Sequence, residues 1–437
     1  MGGRMLTRKS ARNGSFILNR IGQPTGLGLV LLALLFIGFS PARLLAADCN
    51  AAAPEPIAYV NLPGSPFQAI STPDGCWLFA GLVKGSSSHP EAGLAVLRRA
   101  GGKVSLERTL AAKELSAKDA VLGMVLTHDG KLLIATTDTG IAFLNVDALI
   151  SGKGSALLGE FSDGPNAASI YVNVTADDHF AFVSDEAQNT ITVVDLAKAR
   201  TNGYSVSSIV GRIPTGIAPI ALTFSPDGRL LYSTSEIAMN NWGWPNTCPL
   251  ESPQPSKPDL RQPEGAIFVI DVAKAAITPE SSVVAKVPTG CVPVRLVLSP
   301  DGERAYVSLR DENALAVFES GKLVSDPAHA QIAHVPVGTA PVGVAVVNSG
   351  KSILVTNSNR FAGGDSDHQS VNIIADQLTA NPDGAVVGQI PAGAFPRELH
   401  VTQDGQTLLL TNFNSGTLEL VDLTRLAAFE QKTADSH

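Results

Sequence analysis

The chain has 437 residues, of which 44% are hydrophobic and 16% are charged, and its formal net charge is −8 at pH 7. These proportions exclude a disordered polymer, a collagen and a coiled coil, because apolar residues are plentiful while charged helix formers are sparse. The acidic balance provides no basic surface for nucleic acid. We therefore expect a globular protein without a nucleic-acid partner.

The amino terminus has the pattern of a secretory signal. Basic residues between Arg4 and Arg20 precede an apolar run from Gly26 to Phe39, and small residues close the segment. This order is typical of a cleaved signal peptide. We predict a signal over residues 1–47, a linker over residues 48–56 and a periplasmic or secreted mature protein. The alternative is an uncleaved membrane anchor, since the run is only somewhat shorter than the ~20 residues that span a bilayer.

The rest of the chain repeats a strand, a tight turn and further strands. Asp-Gly between β-rich runs is a strong hairpin signal, because glycine adopts positive φ without steric cost. The turns are Asp74-Gly75, Asp129-Gly130, Asp177-Asp178, Asp227-Gly228, Asp301-Gly302, Ser349-Gly350 and Asp404-Gly405. Their spacing is typical of four-stranded propeller blades, which bury their faces only by stacking around an axis. We predict an all-β fold, a seven-bladed β-propeller of four-stranded blades over residues 57–425, followed by a tail over residues 426–437.

The two ends of the predicted propeller complement each other. The last repeat stops after its third strand, Thr417–Asp422, whereas the mature amino terminus supplies a spare strand, Ile57–Leu62. We predict that the spare strand pairs outside Thr417–Asp422 and closes the ring. Closure removes edge strands that would otherwise invite aggregation.

Four cysteines in an exported chain suggest two disulfides, for which the sequence alone allows three pairings. Propeller strands alternate in direction, so the loops after second strands and the loops between blades share one face, which we call the top face. Cys248 and Cys291 fall in such loops, whereas Cys49 and Cys76 fall near the opposite, bottom face. We predict the pairs Cys49–Cys76 and Cys248–Cys291, and the alternative is free thiols.

The best-preserved repeats, at residues 213–235, 287–309, 335–357 and 390–412, resemble the YVTN-type β-propeller repeat. Its Tyr-Val-Thr-Asn element is approximated at residues 354–357 and 410–412. The resemblance covers nearly all of residues 57–423 and implies a propeller. It leaves function open, because propellers serve as enzymes, binders and scaffolds.

Aligning the first strands on their turns places equivalent residues in rings around the central channel. The first ring contains Gln68, Gly123, Tyr171, Ala221, Arg295, Gly343 and Glu398. Arg295 and Glu398 stand out among small or apolar neighbours, with His400 in the next ring and Arg397 at the mouth. The alternative is that Arg295 and Glu398 only neutralise each other, while His400 only fills the channel.

Residues 395–400 also resemble the Pro-Arg-His element of phosphogluconolactonase-type propellers, where Arg and His serve substrate binding and ring opening. Only Pro396-Arg397 matches in place, because Glu398 stands where that family has His. For a hydrolase of a small sugar-type lactone, the resemblance implies that Arg295 or Arg397 stabilises the oxyanion. Glu398 or His400 would then act as general base.

The top-face loops supply further ligand-binding candidates, because functional loops on a rigid scaffold are the usual arrangement. The largest loop, Glu236 to Glu264, carries Trp242 and Trp244, and tryptophan is enriched at binding hot spots. The alternative is a lid that only covers the channel. The other candidates are Gln68, Tyr171, Asn357, Asn359, Arg360 and Asn412. Asp365, Asp367 and His368 could offer ligands to a cation, but a solvated acidic loop is the commoner outcome and we predict no metal.

Catalytic sequence motifs are missing: there is no Gly-x-Ser-x-Gly, no His-Glu-x-x-His, no phosphate-binding glycine loop and no Cys-x-x-Cys-His. We predict a monomeric, non-catalytic module without a cofactor that binds a protein or a small molecule through the top-face opening of the channel. Membrane contact would occur only through an uncleaved amino terminus. The alternative is the lactonase-like hydrolase.

Overall fold

The structure is a computed structural model that describes Cys49, Ala51 and residues 53–250, 259–360 and 369–430. The predicted signal over residues 1–47 lies outside these described residues. Within them, seven antiparallel sheets of four strands are arranged as a β-propeller, which confirms the predicted fold. No helix in the described ranges is long and apolar enough to cross a bilayer.

The strands are numbered in chain order, and each blade begins with its innermost strand. Blades 1 to 3 contain β2 (Ser65–Ser71), β3 (Trp77–Val83), β4 (Gly93–Ala100) and β5 (Lys103–Ala111); β6 (Val121–Leu126), β7 (Leu132–Thr137), β8 (Gly140–Asn145) and β9 (Leu157–Phe161); and β10 (Ser169–Val174), β11 (Phe180–Asp185), β12 (Thr190–Asp195) and β13 (Ile209–Pro214). Blade 4 contains a divided inner strand, β14 (Ile217–Pro219) and β15 (Thr223–Phe224), then β16 (Leu230–Ile237), β19 (Gly265–Asp271) and β20 (Val283–Gly290).

The remaining blades follow the same order. Blades 5 and 6 contain β21 (Pro293–Leu298), β22 (Arg304–Leu309), β23 (Ala314–Glu319) and β24 (Gln331–Pro336); and β25 (Pro341–Val347), β26 (Ser352–Asn357), β27 (Ser370–Ala375) and β28 (Val386–Pro391). Blade 7 contains β29 (Pro396–Val401), β30 (Thr407–Asn412), β31 (Thr417–Asp422) and β1 (Ile57–Asn61). A small hairpin, β17 (Asn246–Pro249) with β18 (Arg261–Pro263), lies in the long insertion of blade 4.

The ring closes through the amino-terminal strand. β1 pairs antiparallel with β31, from Ile57 opposite Val421 to Asn61 opposite Thr417. Blade 7 therefore takes three strands from the end of the propeller and its outermost strand from the beginning. This confirms the predicted closure.

The blades pack face to face because their middle strands are apolar on both sides. Every residue of β7 is buried, and so is every residue of β26. Between blades 1 and 2, Phe79 and Leu94 of one blade belong to the same apolar cluster as Leu133 and Leu144 of the next. Such strands cannot be solvated on either face, so each blade requires its neighbours.

Short helices connect third strands to fourth strands on the bottom face. They are α1 (Val146–Ser151), α2 (Leu196–Thr201), α3 (Val272–Ala275) and α4 (Lys322–Ser325), in blades 2 to 5. Asn145, Asp195 and Asp271 cap the first three, each accepting a backbone N–H from three residues further on. These side chains satisfy N–H groups that a helix start leaves unpaired.

Six of the seven bottom-face hairpin turns contain a Ser or Thr hydroxyl that donates to the aspartate two residues later. In blade 2, Thr127 Oγ1 donates to Asp129 at 2.7 Å and accepts the N–H of Leu132 at 3.1 Å. Blade 6 has Val347 at the equivalent position, and its turn instead places Asn348 and Ser349 at φ 52° and 53°. The Ser349-Gly350 turn therefore reaches the same hairpin by a different backbone path.

Both disulfides form as the topology predicted. Cys49 is bonded to Cys76 on the bottom face, and Cys248 is bonded to Cys291 on the top face. The second bond ties the β17–β18 hairpin to the loop that enters blade 5. Disulfides of this kind persist in oxidising compartments, which fits a protein that functions outside the cytoplasm.

Candidate functional site

A one-residue bulge interrupts the innermost strand of every blade at the same level of the channel. In blade 5, Pro293 faces Leu309 but Leu296 faces Val307, so one extra residue separates the two pairs. The same shift occurs in the other six blades. A bulge takes a residue out of the ladder and redirects its side chain. The residues of the first predicted ring lie at these bulges.

A buried hydroxyl stabilises each bulge in six of the seven blades. In blade 5, Ser308 Oγ accepts the N–H of Arg295 at 3.0 Å and donates to the carbonyl of Val342, in blade 6, at 2.7 Å. The equivalent residues are Thr136, Ser184, Thr234, Thr356 and Thr411. These hydroxyls satisfy the displaced N–H groups and join neighbouring blades beside the channel.

Blade 1 lacks this hydroxyl because Gly81 occupies the position, where an added Cβ would lie 2.8 Å from backbone oxygens of blade 2. Gln68 joins the two blades instead, since its Oε1 accepts the N–H of Met124 at 2.6 Å. Gln68 lines the channel as expected, but its carbonyl oxygen is already engaged in this contact.

Arg295 and Glu398 form a buried ion pair across the channel. Arg295 Nε donates to Glu398 Oε2 at 3.0 Å, and Nη2 donates to Oε1 at 2.5 Å. Only 8% of Arg295 and 6% of Glu398 are exposed. Burial lowers the pKa of Arg295, and the Glu398 carboxylate opposes that shift. This mutual neutralisation is the alternative to a catalytic role that the sequence left open.

Tyr171 completes the cluster from blade 3. Its hydroxyl donates to Glu398 Oε1 at 2.7 Å, and its ring lies 3.6 Å from the guanidinium carbon of Arg295. A cation over an aromatic face is stabilised by the ring quadrupole. Glu398 thus accepts three hydrogen bonds, and its oxygens are committed to the protein.

Below this cluster lies a cavity of about 360 Å³ in the channel. The first ring forms its upper end, and residues nearer the bottom-face turns, such as Ser71 and Leu126, line the rest. Asn173 and His400 of the second ring provide polar atoms in its wall. The main channel cavity therefore extends toward the bottom face.

His400 is fixed in this cavity by Ser71 of blade 1. Nε2 lies 3.3 Å from the backbone N–H and 3.2 Å from Oγ of Ser71. Because a backbone N–H can only donate, Nε2 accepts and the imidazole is neutral. Burial lowers the pKa of His400 to about 4.

Arg397 lies on the opposite, top-face side of the ion pair. Its guanidinium carbon is 3.8 Å from the ring centre of Phe67, and Phe395 and Phe413 lie at 5.7 and 5.9 Å. No residue in the described ranges accepts a hydrogen bond from its guanidinium, and Nε is buried without a partner. Burial lowers the pKa of Arg397, and the carboxylates of Glu398 and Glu186 oppose that shift.

The charges near Arg397 are largely engaged elsewhere. Arg310 and Glu236, at the ends of second strands of blades 5 and 4, form a bidentate pair at 2.9 and 3.1 Å. Arg397 is thus an aromatic-lined cation at the top-face opening whose hydrogen-bonding capacity remains unused by the described protein.

The tryptophans of the blade 4 insertion pack against the propeller. The rings of Trp242 and Trp244 are 5.2 Å apart, and Trp242 lies 5.7 Å from Phe268. Lys286 Nζ sits 4.5 Å above the Trp242 ring. Both tryptophans are half-buried, so they offer one face to solvent and anchor the insertion with the other.

The asparagines at the ends of second strands are held inside their blades. Asn357 Nδ2 donates to Asn372 Oδ1 at 2.8 Å, and Asn412 Nδ2 donates to Glu419 Oε2 at 2.9 Å. Their side chains therefore brace blades 6 and 7 away from the channel opening.

Asn359 is also buried, at φ 45°, while Arg360 lies 5.7 Å from the Phe395 ring. Arg360 is the candidate of this loop that approaches the aromatic surroundings of Arg397. Asp365, Asp367 and His368, for which the sequence predicted a solvated loop without a metal, lie outside the described residues. Among the residues that the structure describes, no three potential His, Cys, Asp or Glu ligands converge on one point.

The chain matches no known family model and no curated protein. Solved propeller structures are similar in fold. Kuenenia stuttgartiensis hydrazine synthase is 18% identical with a TM-score of 0.58, over 83% of this chain and 96% of that chain. A chain of a mitotic checkpoint complex is 13% identical with a TM-score of 0.58, over 94% of this chain and 99% of that chain.

The β-propeller domain of Myceliophteria thermophila Cps50 (Swd1) is 10% identical with a TM-score of 0.58, over 85% of this chain and 100% of that domain. At such low identity these likenesses concern the fold alone. The chemistry of the site must therefore be argued from the side chains of this chain.

Proposed function

We propose that this protein is an exported, non-catalytic binding module that holds an anionic group of its ligand at Arg397, in the top-face opening of the channel. The observation that carries the proposal is a half-buried guanidinium whose buried Nε has no hydrogen-bond acceptor in the described residues. Burying such a cation without an acceptor is costly. A ligand carboxylate or phosphate would supply charge-assisted, bidentate hydrogen bonds there.

The surroundings of Arg397 support binding more than catalysis. Phe67, Phe395 and Phe413 provide aromatic surfaces, and aromatic residues are enriched at binding interfaces. Glu398, the first candidate base, is already bonded to Arg295 and Tyr171. His400 lines the cavity below the ion pair, so the four residues of the lactonase hypothesis do not surround one vacant point.

We propose that the protein acts in the periplasm or in the extracellular medium. The two disulfides and the signal-like amino terminus support this assignment. We also propose that the repeats are of the YVTN type. Thr356-Asn357 and Thr411-Asn412 support it, because each Thr hydroxyl donates to the next blade and each Asn braces its own blade.

Calorimetric titration with small anions tests the binding proposal. Citrate, gluconate and inorganic phosphate would be titrated into the wild type, an Arg397→Gln variant and an Arg425→Gln control. Arg425 is a matched control because its guanidinium contacts Asp422 and backbone oxygens near the amino terminus, away from the channel. We expect at least one anion to bind the wild type and the control equally, and Arg397→Gln roughly tenfold more weakly.

Two results would contradict the proposal. One is anion binding that Arg397→Gln leaves unchanged, and the other is the absence of binding by every anion tested. A parallel assay of gluconolactone hydrolysis separates the alternative function. Turnover by the wild type that disappears in an Arg397→Ala/Glu398→Ala variant would favour the hydrolase.

A further inference from the structure

A second cavity, of about 490 Å³, lies between the outer strands of blades 7 and 1, away from the channel. We call it the outer groove. Its walls are largely apolar and include Ile57, Tyr59 and Val60 of β1, Val104 of β5 and Leu420 of β31. The volume lies within the range of about 300–1,000 Å³ that is usual for small-molecule sites.

Arg99 lines this groove from the end of β4. Only 7% of the residue is exposed, and Nη1 is buried without a hydrogen-bond partner. Its side chain forms no hydrogen bond or ion pair with any residue in the described ranges. The backbone N–H of Arg99 donates to the carbonyl of Cys76 at 2.8 Å, so the Cys49–Cys76 disulfide helps to fix its position.

The nearby carboxylates do not neutralise Arg99 by direct contact. Asp404 interacts with it electrostatically, but the Asp404 carboxylate accepts hydrogen bonds from Thr402 Oγ1 at 2.6 Å and Gln406 N–H at 3.0 Å. Asp422 lines the groove and is paired with Arg425 at 3.2 Å. The buried guanidinium therefore retains hydrogen-bonding capacity that the described protein does not use.

Two more charged residues lie at the rim of the outer groove. Lys103 and Glu55 both line it, and both are exposed. Exposed charges are well hydrated and interact weakly, whereas the buried Arg99 gains most from a counter-ion. The groove thus combines a desolvated cation with apolar walls, which is the chemistry that recognises an amphiphilic anion.

We propose that the outer groove binds a single-chain amphiphile with a carboxylate headgroup. The headgroup pairs with the guanidinium of Arg99, and the alkyl chain covers the apolar walls formed by β1, β5 and β31. This site is separate from the top-face opening, and its occupation does not depend on the function proposed for Arg397.

Calorimetric titration of the full chain with laurate, below its micelle concentration, tests this site. We expect one laurate per chain for the wild type and roughly tenfold weaker binding for Arg99→Gln. Arg98→Gln is the matched control, since it removes the same charge from the next residue, whose side chain points to the opposite face of β4. Acetate, which lacks the tail, and dodecanol, which lacks the charge, should both bind more weakly than laurate.

Lys103→Glu provides a second variant that does not disturb a buried group. Reversing this exposed charge should weaken laurate binding roughly threefold and leave the circular dichroism spectrum unchanged. The proposal is overturned if laurate does not bind, or if dodecanol binds as tightly as laurate. It is equally overturned if a folded Arg99→Gln variant binds laurate as tightly as the wild type does. If Arg99→Gln does not fold, the same result for Lys103→Glu overturns it.

Discussion

Glu398 carries the hydrogen bonds that hold three blades together at the first ring of the channel. It accepts from Arg295 of blade 5 and from Tyr171 of blade 3, while it belongs to blade 7 itself. Removing one partner of a buried ion pair leaves an uncompensated charge, which typically costs about 3–5 kcal/mol. The ion pair therefore matters more through the penalty for breaking it than through its own net stabilisation.

We predict that Glu398→Gln lowers the free energy of unfolding by about 3 kcal/mol, because the Arg295 cation stays buried without its counter-charge. The matched comparison is an Arg295→Met/Glu398→Leu double variant, which replaces both charges by apolar groups. It should recover most of the loss, as judged by urea unfolding at pH 7. A double variant as unstable as the single one would contradict this account of the pair.

His400 gives the unfolding free energy a specific dependence on pH. Its pKa is about 4 in the folded protein because burial disfavours the imidazolium, whereas the usual value is 6.5. The unfolded chain therefore takes up a proton below about pH 6.5 that the folded chain refuses until about pH 4. The contribution of the neutral His400 to the free energy of unfolding is therefore complete above about pH 6.5 and is lost as the pH falls toward about 4.

We predict that the wild type loses up to about 3 kcal/mol more than a His400→Gln variant between pH 7 and pH 4. Denaturant unfolding at several pH values measures the difference between the two curves. The exposed His329→Gln variant serves as the control and should follow the wild type. Parallel curves for the wild type and His400→Gln would show that the channel does not hold this imidazole neutral.

The second strands of the blades show how an element supports the site. The fifth residue of six of these strands is Ser or Thr, and its hydroxyl accepts an N–H from the bulge and donates to the next blade. An unsatisfied buried polar group costs about 1–3 kcal/mol. One small side chain therefore secures both the inner strand and the blade junction.

We predict that Ser308→Ala lowers the free energy of unfolding by about 2 kcal/mol, because it leaves the N–H of Arg295 and the carbonyl of Val342 unpaired. Ser235→Ala is the matched control, since Ser235 is also a buried serine near the end of a second strand, but its Oγ has no partner in the described residues. Urea unfolding should show little change or a gain for the control. Equal losses in both variants would refute the role assigned to the hydroxyl.

The elements were predictable from the sequence because they depend on repeated local signals. Aligning the inner strands on their turns placed Arg295, Glu398 and Tyr171 at one level, and they contact one another there. The hydroxyl position was also visible in six of the seven blades, as Ser or Thr 13 residues after the ring member, but its structural role depends on the bulge. The unpartnered state of Arg397 depends on side-chain contacts between distant blades, which no local pattern reveals.

The loops that enter the blades show a second limit of sequence analysis. A proline recurs at the start of several blades, and the residue before it adopts positive φ at Ala218, Val292, Ala340 and Phe395. Non-glycine residues rarely adopt this conformation, and a residue before proline is expected to be extended. The local sequence therefore favours an extended residue at these four positions, and the observed backbone departs from that rule.

At the scale of the whole molecule, ring closure and disulfide pairing were predictable because both follow from the number of strands and their alternating direction. The spare strand at the amino terminus completes the last blade, which lacks its fourth strand. The direction of each strand then places each cysteine on the top or the bottom face. These conclusions do not require the conformation of any side chain. The outer groove, in contrast, arises where blade 7 meets blade 1, and its shape depends on how the closing strand lies beside β5.

In an antiparallel ladder only alternate residues of a strand donate their N–H to the neighbouring strand, and proline has no N–H to donate. Proline substitutions in β1 therefore test whether this strand closes the ring. Leu62 N–H donates to Gly416 and Asp422 N–H donates to Pro56. The alternation between these bonds assigns the N–H of Ala58 to the ladder with β31 and the N–H of Tyr59 to the free edge.

We predict that Ala58→Pro lowers the free energy of unfolding by about 2 kcal/mol more than Tyr59→Pro. Urea unfolding and aggregation on heating measure the effect, and similar losses in the two variants would mean that β1 does not close the ring in this register.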